Sequence, residues 1–438
     1  MHRTKPTTPA GVIRPPRPRL TGSARPLFRS AVPLLAALAV TGLSAGCAAT
    51  SSAPASSAAR SSSGTASAAG HAPASAPTGT ASAGCGGSSV SGYAGKPALA
   101  AVQFADASHG WAAGAGRIVA TSDGGRSWTR QYSGPADLYQ VDFTDASHGW
   151  AVGTGALLRT SDGGATWTAL REPCQAIDTV SFVSPDVGYA VAGGTSGTPV
   201  LGSLTGGYSG TRLLRTTDGG TTWQQLSGAP GNPQSACFSS AASGYLGTPG
   251  RIWRTSDGGH AWSLAFTEPP AAKRFSQALD TPELQCAGAA GAWVLFLGTG
   301  AAMLHSPYLG YATQDGRSWH GVLEETTLES VIRPGLHLPD GPGSEPGPFS
   351  AISPAAAAFV GSTPPANGWG AAPLALATNN GGALRNAGDV AAINEPLAAA
   401  FLTSSEGWVA GENLQTKTFA IEATTNAGRT WTTQYQAR

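Results

Sequence analysis

The sequence Thr121-Ser-Asp-Gly-Gly-Arg-Ser-Trp128 decides the fold, because related octads recur along the chain. An Asp followed by two glycines is typical of a tight turn, since the carboxylate accepts backbone N–H groups and glycine adopts positive φ without steric cost. The Trp that ends each octad is predicted to begin the next strand and to pack between neighbouring sheets. Further copies, the last two of them altered, begin at Thr160, Thr216, Thr255, Thr313 and Thr424.

The acidic residues of these octads are interpreted as structural. A short apolar or alternating stretch such as Arg117–Thr121 precedes each Asp, so each octad is predicted to join two strands. A catalytic or metal-binding Asp has no need to recur in every repeat, and neither a metal nor another cofactor is expected. The structural role is assigned to Asp123, Asp162, Asp218, Asp257, Asp315 and Asn426.

Each repeat is predicted to contain four strands. The first strand ends at an aromatic residue such as Phe104, and a Gly-aromatic pair such as Gly110-Trp111 opens the second. The Asp turn separates the third strand from the fourth, which begins at the Trp. Where the loops are short, 39 residues separate one Asp turn from the next, as from Asp123 to Asp162.

The sixth repeat is degenerate, but the gap between repeats five and seven has the length of one repeat. Gly368-Trp369 is interpreted as the opening of its second strand and Thr378–Gly382 as its turn, although Arg385 replaces the Trp. Seven units of four antiparallel strands predict an all-β protein with a seven-bladed β-propeller over residues 93–438. An open β-solenoid is the competing architecture, but its coils are shorter than these repeats.

The octads resemble the Asp-box, or BNR repeat, of sialidases, sortilin-type receptors and several glycosidases. The combination of Phe…Gly-Trp-Ala-x-Gly with Thr-x-Asp-Gly-Gly-x-Thr-Trp is more particular, and it is similar to the propellers related to the photosystem II assembly and stability factor. The resemblance covers about Leu99 to Arg438, weakly through repeat six. It implies a non-enzymatic binding protein, and it gives no reason to transfer the photosystem as a partner.

Residues 1–46 are predicted to be a bacterial lipoprotein signal peptide. They contain seven Lys and Arg and no acidic residue, and an apolar run from Ala31 to Leu43 is too short to span a bilayer. The following Leu43-Ser-Ala-Gly-Cys47 resembles a lipoprotein signal, which implies cleavage before Cys47 and a diacyl, palmitate-type anchor on its thiol. Two acyl chains give stable attachment. We therefore expect the protein to be located on the outer face of a bacterial cell membrane. The alternative is an ordinary secretory signal in which Cys47 is incidental.

Residues 47–92 are predicted to be a disordered tether, because Ser, Ala, Gly, Thr and Pro dominate and large apolar side chains are almost absent. The chain has 26 Lys and Arg and 25 Asp and Glu, so without the seven basic residues of the signal it keeps 19 basic against 25 acidic residues. A net charge of about −6 argues against nucleic-acid binding.

Four further cysteines are available for disulfides in an exported protein. They allow three pairings, which the sequence leaves open. No CxxC motif is present, so a metal site is not expected. The four residues are Cys85, Cys174, Cys237 and Cys286.

Long insertions are predicted to lie on one face of the propeller, opposite the Asp turns, at Gly193–Thr211, Thr267–Glu283, Gly298–Gly310 and Glu324–Phe349. Insertions on one face of a repeat array mark its working surface. By contrast, His109 and His148 occupy equivalent turns on the other face and are interpreted as turn residues. The candidate binding residues are Tyr139, Tyr208, Lys273, Arg274, His305, Tyr308, Arg333 and His337.

The favoured function is a monomeric, membrane-anchored, non-catalytic propeller that binds an envelope protein or a surface glycan. The alternative is a sialidase-like or other glycoside hydrolase, or a carbohydrate-binding propeller, with Glu324, Glu325 or Asp280 as acids. No sequence feature pairs these acids. The framework accounts for all twelve Trp, which argues against a sugar-stacking platform. A structural spacer in the envelope is the third hypothesis. The arginines before the Asp turns repeat in register and are interpreted as structural: Arg159, Arg215 and Arg254.

Overall fold

The computed structural model describes residues 74–75, 97–173, 176–193, 211–269, 281–298, 307–325, 338–362, 370–379 and 384–438. The predicted signal peptide, Cys47 and all of the predicted tether except residues 74–75 lie outside these ranges. Every regular element within them is a β-strand, which confirms the all-β prediction. In the same ranges, no helix has the length and apolar character that a membrane span requires.

The described strands form six sheets, and the first of them has seven strands. Its order is β2-β3-β4-β5-β6-β7, with neighbours antiparallel, and β1 pairs in parallel with β4 beside Tyr132 and Ser133. The strands are β1 (Ala74–Ser75), β2 (Ala101–Phe104), β3 (Gly110–Thr121), β4 (Thr129–Phe143), β5 (Gly149–Gly153), β6 (Ala156–Thr160) and β7 (Thr168–Leu170).

Each of the other five sheets has four antiparallel strands in chain order. The second contains β8 (Ile177–Phe182), β9 (Gly188–Ala192), β10 (Arg212–Thr216) and β11 (Gln224–Gln225). The third contains β12 (Ser235–Phe238), β13 (Gly244–Thr248), β14 (Arg251–Thr255) and β15 (Ser263–Thr267). The fourth contains β16 (Thr281–Ala287), β17 (Gly291–Leu297), β18 (Tyr308–Thr313) and β19 (Trp319–Glu325). The fifth contains β20 (Phe349–Ser353), β21 (Ala356–Val360), β22 (Ala372–Thr378) and β23 (Leu384–Val390). The sixth contains β24 (Glu395–Phe401), β25 (Gly407–Asn413), β26 (Thr418–Thr424) and β27 (Thr432–Ala437).

The prediction of seven blades is wrong, because the described strands form six separate sheets, and each sheet counts as one blade. Strand β4 is the physical reason: it is continuous over 15 residues and pairs with β3 through its first half and with β5 through its second. Strand β3 also covers residues that were predicted as two separate strands of repeat one. Repeats one and two therefore share one hydrogen-bonded sheet, whereas each later repeat has its own.

The interpretation of repeat six is corrected in one respect. Its second strand is β21, which starts at Ala356, so Trp369 does not open it; residues 363–369 lie outside the described residues. Strand β21 begins with three alanines, so it lacks the Gly-aromatic start found in most other repeats. Strand β22 does end at Thr378, the first residue of the predicted turn.

Aromatic rings hold neighbouring repeats together. Among repeats one to four, the aromatic residue that opens the second strand of one repeat stacks on the first-strand Phe of the next, and the octad Trp of that next repeat meets the same Phe edge-on. Offset and edge-on ring pairs are favourable beyond the area that they bury. The stacked pairs have centroid distances of 3.3–3.5 Å: Trp111–Phe143, Trp150–Phe182 and Tyr189–Phe238.

The last repeat makes the same contact with the first. Trp408 of β25 stacks on Phe104 of β2 with ring centroids 3.5 Å apart. Gln434 Nε2 of β27 donates a hydrogen bond to the Gly124 carbonyl at 3.1 Å. The array is therefore closed by contacts between its first and last repeats, and β24 to β27 all come from the C-terminal end of the chain.

Candidate functional site

The Asp123 carboxylate is occupied within its own turn. Thr121 Oγ1 donates to Asp123 Oδ1 at 2.8 Å and accepts from the Gly125 N–H at 2.8 Å. The Ser127 N–H donates to Oδ1 at 2.9 Å, and the Ser127 hydroxyl donates to Oδ2 at 2.6 Å. Gly124 and Gly125 have φ values of 74° and 86°, a region that a side chain rarely adopts. Both carboxylate oxygens therefore serve to close the turn.

The other octads repeat this network with small changes. Asp162 and Asp218 each accept two bonds from the Thr four residues later. At Asp257 the corresponding residue is Ala261, so only its N–H donates, at 3.0 Å. In the altered octad that begins at Thr424, Asn426 Nδ2 donates to the Thr430 hydroxyl at 2.7 Å. Turn closure accounts for the recurrence of the motif.

These turn carboxylates are poor general acids. Hydrogen bonds from the Ser127 side chain, then from its N–H and from Thr121, lower the pKa of Asp123 to about 2. The N–H groups of Ser318 and Arg317 lower the pKa of Asp315 to about 2. Each group is therefore ionised at neutral pH and has no proton to donate.

The turns also bind the repeats to one another. The Trp111 indole N–H donates to the Gly163 carbonyl at 2.9 Å, and Gln131 Nε2 donates to the same oxygen at 3.0 Å. Trp150 makes the equivalent bond to the Gly219 carbonyl at 2.9 Å. The corner glycines thus accept hydrogen bonds from the preceding repeat.

His109 and His148, on the same face as the Asp turns, each contact an Asp of the same turn. His109 Nδ1 is 2.9 Å from Asp106 Oδ2, and His148 Nδ1 is 3.0 Å from Asp145 Oδ2. The backbone N–H of each histidine also donates to its Asp at 2.8 Å. These local contacts agree with the interpretation of both as turn residues.

Arg159 and Arg215 lie over aromatic rings of their own repeats, and Arg159 also bonds to the next repeat. The Arg159 guanidinium is 5.7 Å from the Trp150 ring centroid, and its Nη2 donates to the Pro185 carbonyl at 3.1 Å. The Arg215 guanidinium is 5.9 Å from the Tyr189 ring centroid. A guanidinium over an aromatic face is a stabilising contact. Arg159 and Arg215 therefore support the framework.

Two of the candidate binding residues can be placed, and both hydroxyls bond within the protein. The Tyr139 hydroxyl donates to the Ile177 carbonyl at 2.8 Å. Tyr308 is buried, and its hydroxyl lies 3.0 Å from the Pro342 carbonyl and 2.9 Å from that of Gly343. Their proposed binding role stays a prediction. The other six candidates lie outside the described residues: Tyr208, Lys273, Arg274, His305, Arg333 and His337.

Two buried carboxyl residues, Glu268 and Glu324, lie near Tyr311, and a third, Glu325, lies near Tyr308. Sequence reasoning recognised Glu324 and Glu325 but not Glu268. Glu268, Glu324 and Glu325 are 2–5% exposed. Burial, followed by the charges of Glu268 and Glu324, raises the pKa of Tyr311 well above its usual range. Glu324 Oε1 accepts from the Leu338 N–H at 3.2 Å. Within the described ranges, no three His, Cys, Asp or Glu residues form a possible metal site.

Three carboxyl groups on first strands have raised pKa values that the sequence did not suggest. Burial raises the pKa of Asp142 to about 7, although the Phe182 N–H bonded to it acts in the opposite direction. Burial raises the pKa of Glu283 to about 8. Burial and then the nearby Glu345 charge raise the pKa of Glu395 to about 7. A lone acid in an alternating strand looks solvent-facing, so the pattern gave no reason to single these out.

One of the open cysteine pairings is settled. Cys237 of β12 and Cys286 of β16 form a disulfide with a Cα–Cα distance of 5.4 Å. It joins the first strands of two successive sheets. Cys85 and Cys174 lie outside the described residues, so their state is untested.

A family model described as the photosynthesis system II assembly factor YCF48 matches residues 133–277. The resemblance to this family is confirmed. The matched part runs from within β4 to beyond β15 and contains three of the octads. No curated protein matches the chain.

Three solved structures illustrate the likeness. "YCF48 bound to D1 peptide" is 21% identical over 68% of this chain and 82% of its own, with a TM-score of 0.41. YCF48 from Cyanidioschyzon merolae is 18% identical over 68% of this chain and 84% of its own, with a TM-score of 0.45. The GH74 enzyme of Niastella koreensis is 11% identical over 79% of this chain and 67% of its own, with a TM-score of 0.46. The fold itself is established by the sheets and contacts of this chain.

Proposed function

We propose that this protein is an extracytoplasmic, membrane-anchored lipoprotein whose non-catalytic β-propeller binds a protein partner and acts as an assembly scaffold. The observation that carries the proposal is that the recurring polar residues bond within the protein framework. Contacts within a turn or between repeats occupy the Asp turns and the side chains of His109, His148 and Arg159. These residues are therefore interpreted as structural. The match to a family of assembly factors supports the same function.

The proposed location is the outer face of a bacterial cell membrane. The order of basic segment, apolar segment and Cys47 supports a lipid anchor. The disulfide between Cys237 and Cys286 supports an oxidising compartment, because such bonds are rare in the cytosol. A Cys47→Ala variant tests the anchor: we expect the protein to move from the membrane fraction to the soluble extracytoplasmic fraction. Retention of the variant in membranes contradicts the anchor.

The proposed working surface is the face that carries the insertions. The turn between β25 and β26 lies on this face and exposes Gln415, whereas the turn between β2 and β3 lies on the opposite face and exposes Ser108. A photo-crosslinking amino acid at each position, in the full chain and in intact cells, compares the two faces directly. We expect a discrete partner to be captured from position 415 and not from position 108.

Shortening residues 194–210 gives a second measurement on the same cells. We expect crosslinking from position 415 to weaken while the amount of protein in the membrane stays constant. Capture from position 108 alone, or from neither position, contradicts the proposal. Hydrolysis of chromogenic glycosides that is lost in Glu324→Gln supports the glycoside hydrolase alternative instead.

A further inference from the structure

The first strands of successive repeats are joined by clamp residues, which we define as first-strand side chains that bond the backbone of the next first strand. Gln103 accepts from the Phe143 N–H at 2.7 Å and donates to the Phe143 carbonyl at 3.3 Å. Gln140 makes the same pair of bonds to Val180, both at 2.9 Å. Gln285 donates to the Phe349 carbonyl at 2.7 Å.

Shorter clamp residues occur at two other junctions. The Ser181 hydroxyl accepts from the Phe238 N–H at 3.1 Å. The Ser350 hydroxyl accepts from the Phe401 N–H at 2.9 Å. A buried backbone N–H is costly to leave without an acceptor, so each of these bonds resists separation of the two strands.

The remaining internal junction has both a clamp and a disulfide: the Ser235 hydroxyl of β12 donates to the Pro282 carbonyl of β16 at 2.6 Å, and a disulfide joins the same two strands. Cys237 lies opposite Tyr245 in its sheet, as Ser181 lies opposite Tyr189 and Gln103 opposite Trp111. Its partner Cys286 occupies the position that Phe has in the other repeats. A covalent bond therefore joins the same two positions that a hydrogen bond joins elsewhere.

Among the described residues, no clamp residue joins the last repeat to the first. Ala400 lies opposite Trp408, in the register of Ser181 and Gln103, and its methyl group cannot accept a hydrogen bond. The contact is apolar, between the Phe104 and Trp408 rings and the buried side chain of Val102. The bond from Gln434 to Gly124 lies at the Asp-turn face and does not reach β2.

We propose that the contact between β24 and β2 is the seam at which this propeller opens. Separation at any other junction breaks a hydrogen bond between first strands, or is prevented by the disulfide. Separation at the seam breaks apolar contacts and one bond at the edge. Local opening exposes Phe104 and Trp408 and leaves the other sheets joined.

Hydrogen exchange in the native, disulfide-bonded protein tests the seam. We expect peptides that contain β2 and β24 to exchange first, about fivefold faster than peptides that contain β12 or β20, because one hydrogen bond has about that effect on an opening equilibrium. Ala400→Ser restores a hydroxyl at the clamp position and is expected to slow exchange in β2 about fivefold. Ser350→Ala is the matched change at a clamped junction and is expected to speed exchange in β24.

A second variant is needed in case the serine of Ala400→Ser is too short to reach the backbone of β2. Ala398 is three residues before Phe401, as Gln140 is three before Phe143, so Ala398→Gln offers both an acceptor and a donor. Unchanged far-ultraviolet circular dichroism verifies that each variant folds. Earliest exchange in β8, β12 or β16 overturns the proposal. Faster exchange in Ser350→Ala, with no effect of either alanine replacement at the seam, overturns it as well.

Discussion

Replacement of Trp150 tests whether the ring stacks hold the repeats together. The side chain is 0% exposed, stacks on Phe182 at 3.4 Å and donates to the Gly219 carbonyl at 2.9 Å. A Trp buries about 150–250 Å², which at about 25 cal/mol per Å² corresponds to about 4–6 kcal/mol. Since Ala retains part of this area, we expect Trp150→Ala to lower the free energy of unfolding by about 3–5 kcal/mol.

Trp150→Phe separates the stack from the hydrogen bond. It keeps a ring against Phe182 and removes the N–H, so we expect a smaller loss of about 1–3 kcal/mol from the unpaired Gly219 carbonyl and the lost volume. Urea denaturation followed by fluorescence and circular dichroism measures both values, with the slope m unchanged. Arg130→Ala, on an exposed part of β4, is the control and should change stability by less than about 0.5 kcal/mol. Equal losses in Trp150→Phe and Trp150→Ala would falsify the role of the stack.

Three other predictions concern stability. Cys286→Ser opens a bond to Cys237 that spans 49 residues, and we expect a loss of about 2–4 kcal/mol by urea denaturation; no change contradicts a stabilising disulfide. The folded-state pKa of Glu283, raised to about 8, lies above its unfolded value, so this residue stabilises the fold at low pH and loses that effect as pH rises through 8. Glu283→Gln should therefore flatten the fall in the denaturation midpoint between about pH 5 and pH 8, and an unaltered profile argues against burial of this group. Gly163 has a φ of 71° and a Cβ there would lie 2.8 Å from the Ala146 carbonyl, whereas at Gly155, with a φ of 63°, it would meet nothing within 4 Å. Gly163→Ala should cost about 1–2 kcal/mol more than Gly155→Ala, and equal losses show that only the backbone angle matters.

The repeats and their turns were predictable because each octad has a local chemical cause. The carboxylate of Asp123 closes its turn through residues within four positions, so the sequence contains all the partners. The number of sheets has no such local cause. Gly134-Pro135 looks like a break between repeats, yet β4 continues through it, because Ser133 and Asp137 on either side still pair with β3.

The candidate site was less predictable than the fold. In the sequence, Tyr139 and Tyr308 look available to bind a ligand. In the structure, their hydroxyl groups donate hydrogen bonds to backbone carbonyls that are distant along the chain. Glu283 has a raised pKa because of atoms that fold around it, and no residue next to it indicates this. Contacts between remote segments decide all three cases, and periodicity does not encode such contacts.

The last sheet imposes an order of assembly on an elongating chain. Strand β2 appears near the start of the propeller, and Trp128 of the same repeat meets Phe104 edge-on, but the ring that stacks on Phe104 is Trp408 of β25. During synthesis or export, the face of Phe104 that Trp408 covers therefore stays exposed until residues 395–437 have emerged. A chaperone that recognises exposed apolar strands has a reason to hold this protein until translation is complete, and a nascent chain cut short before residue 395 should be a substrate for proteolysis.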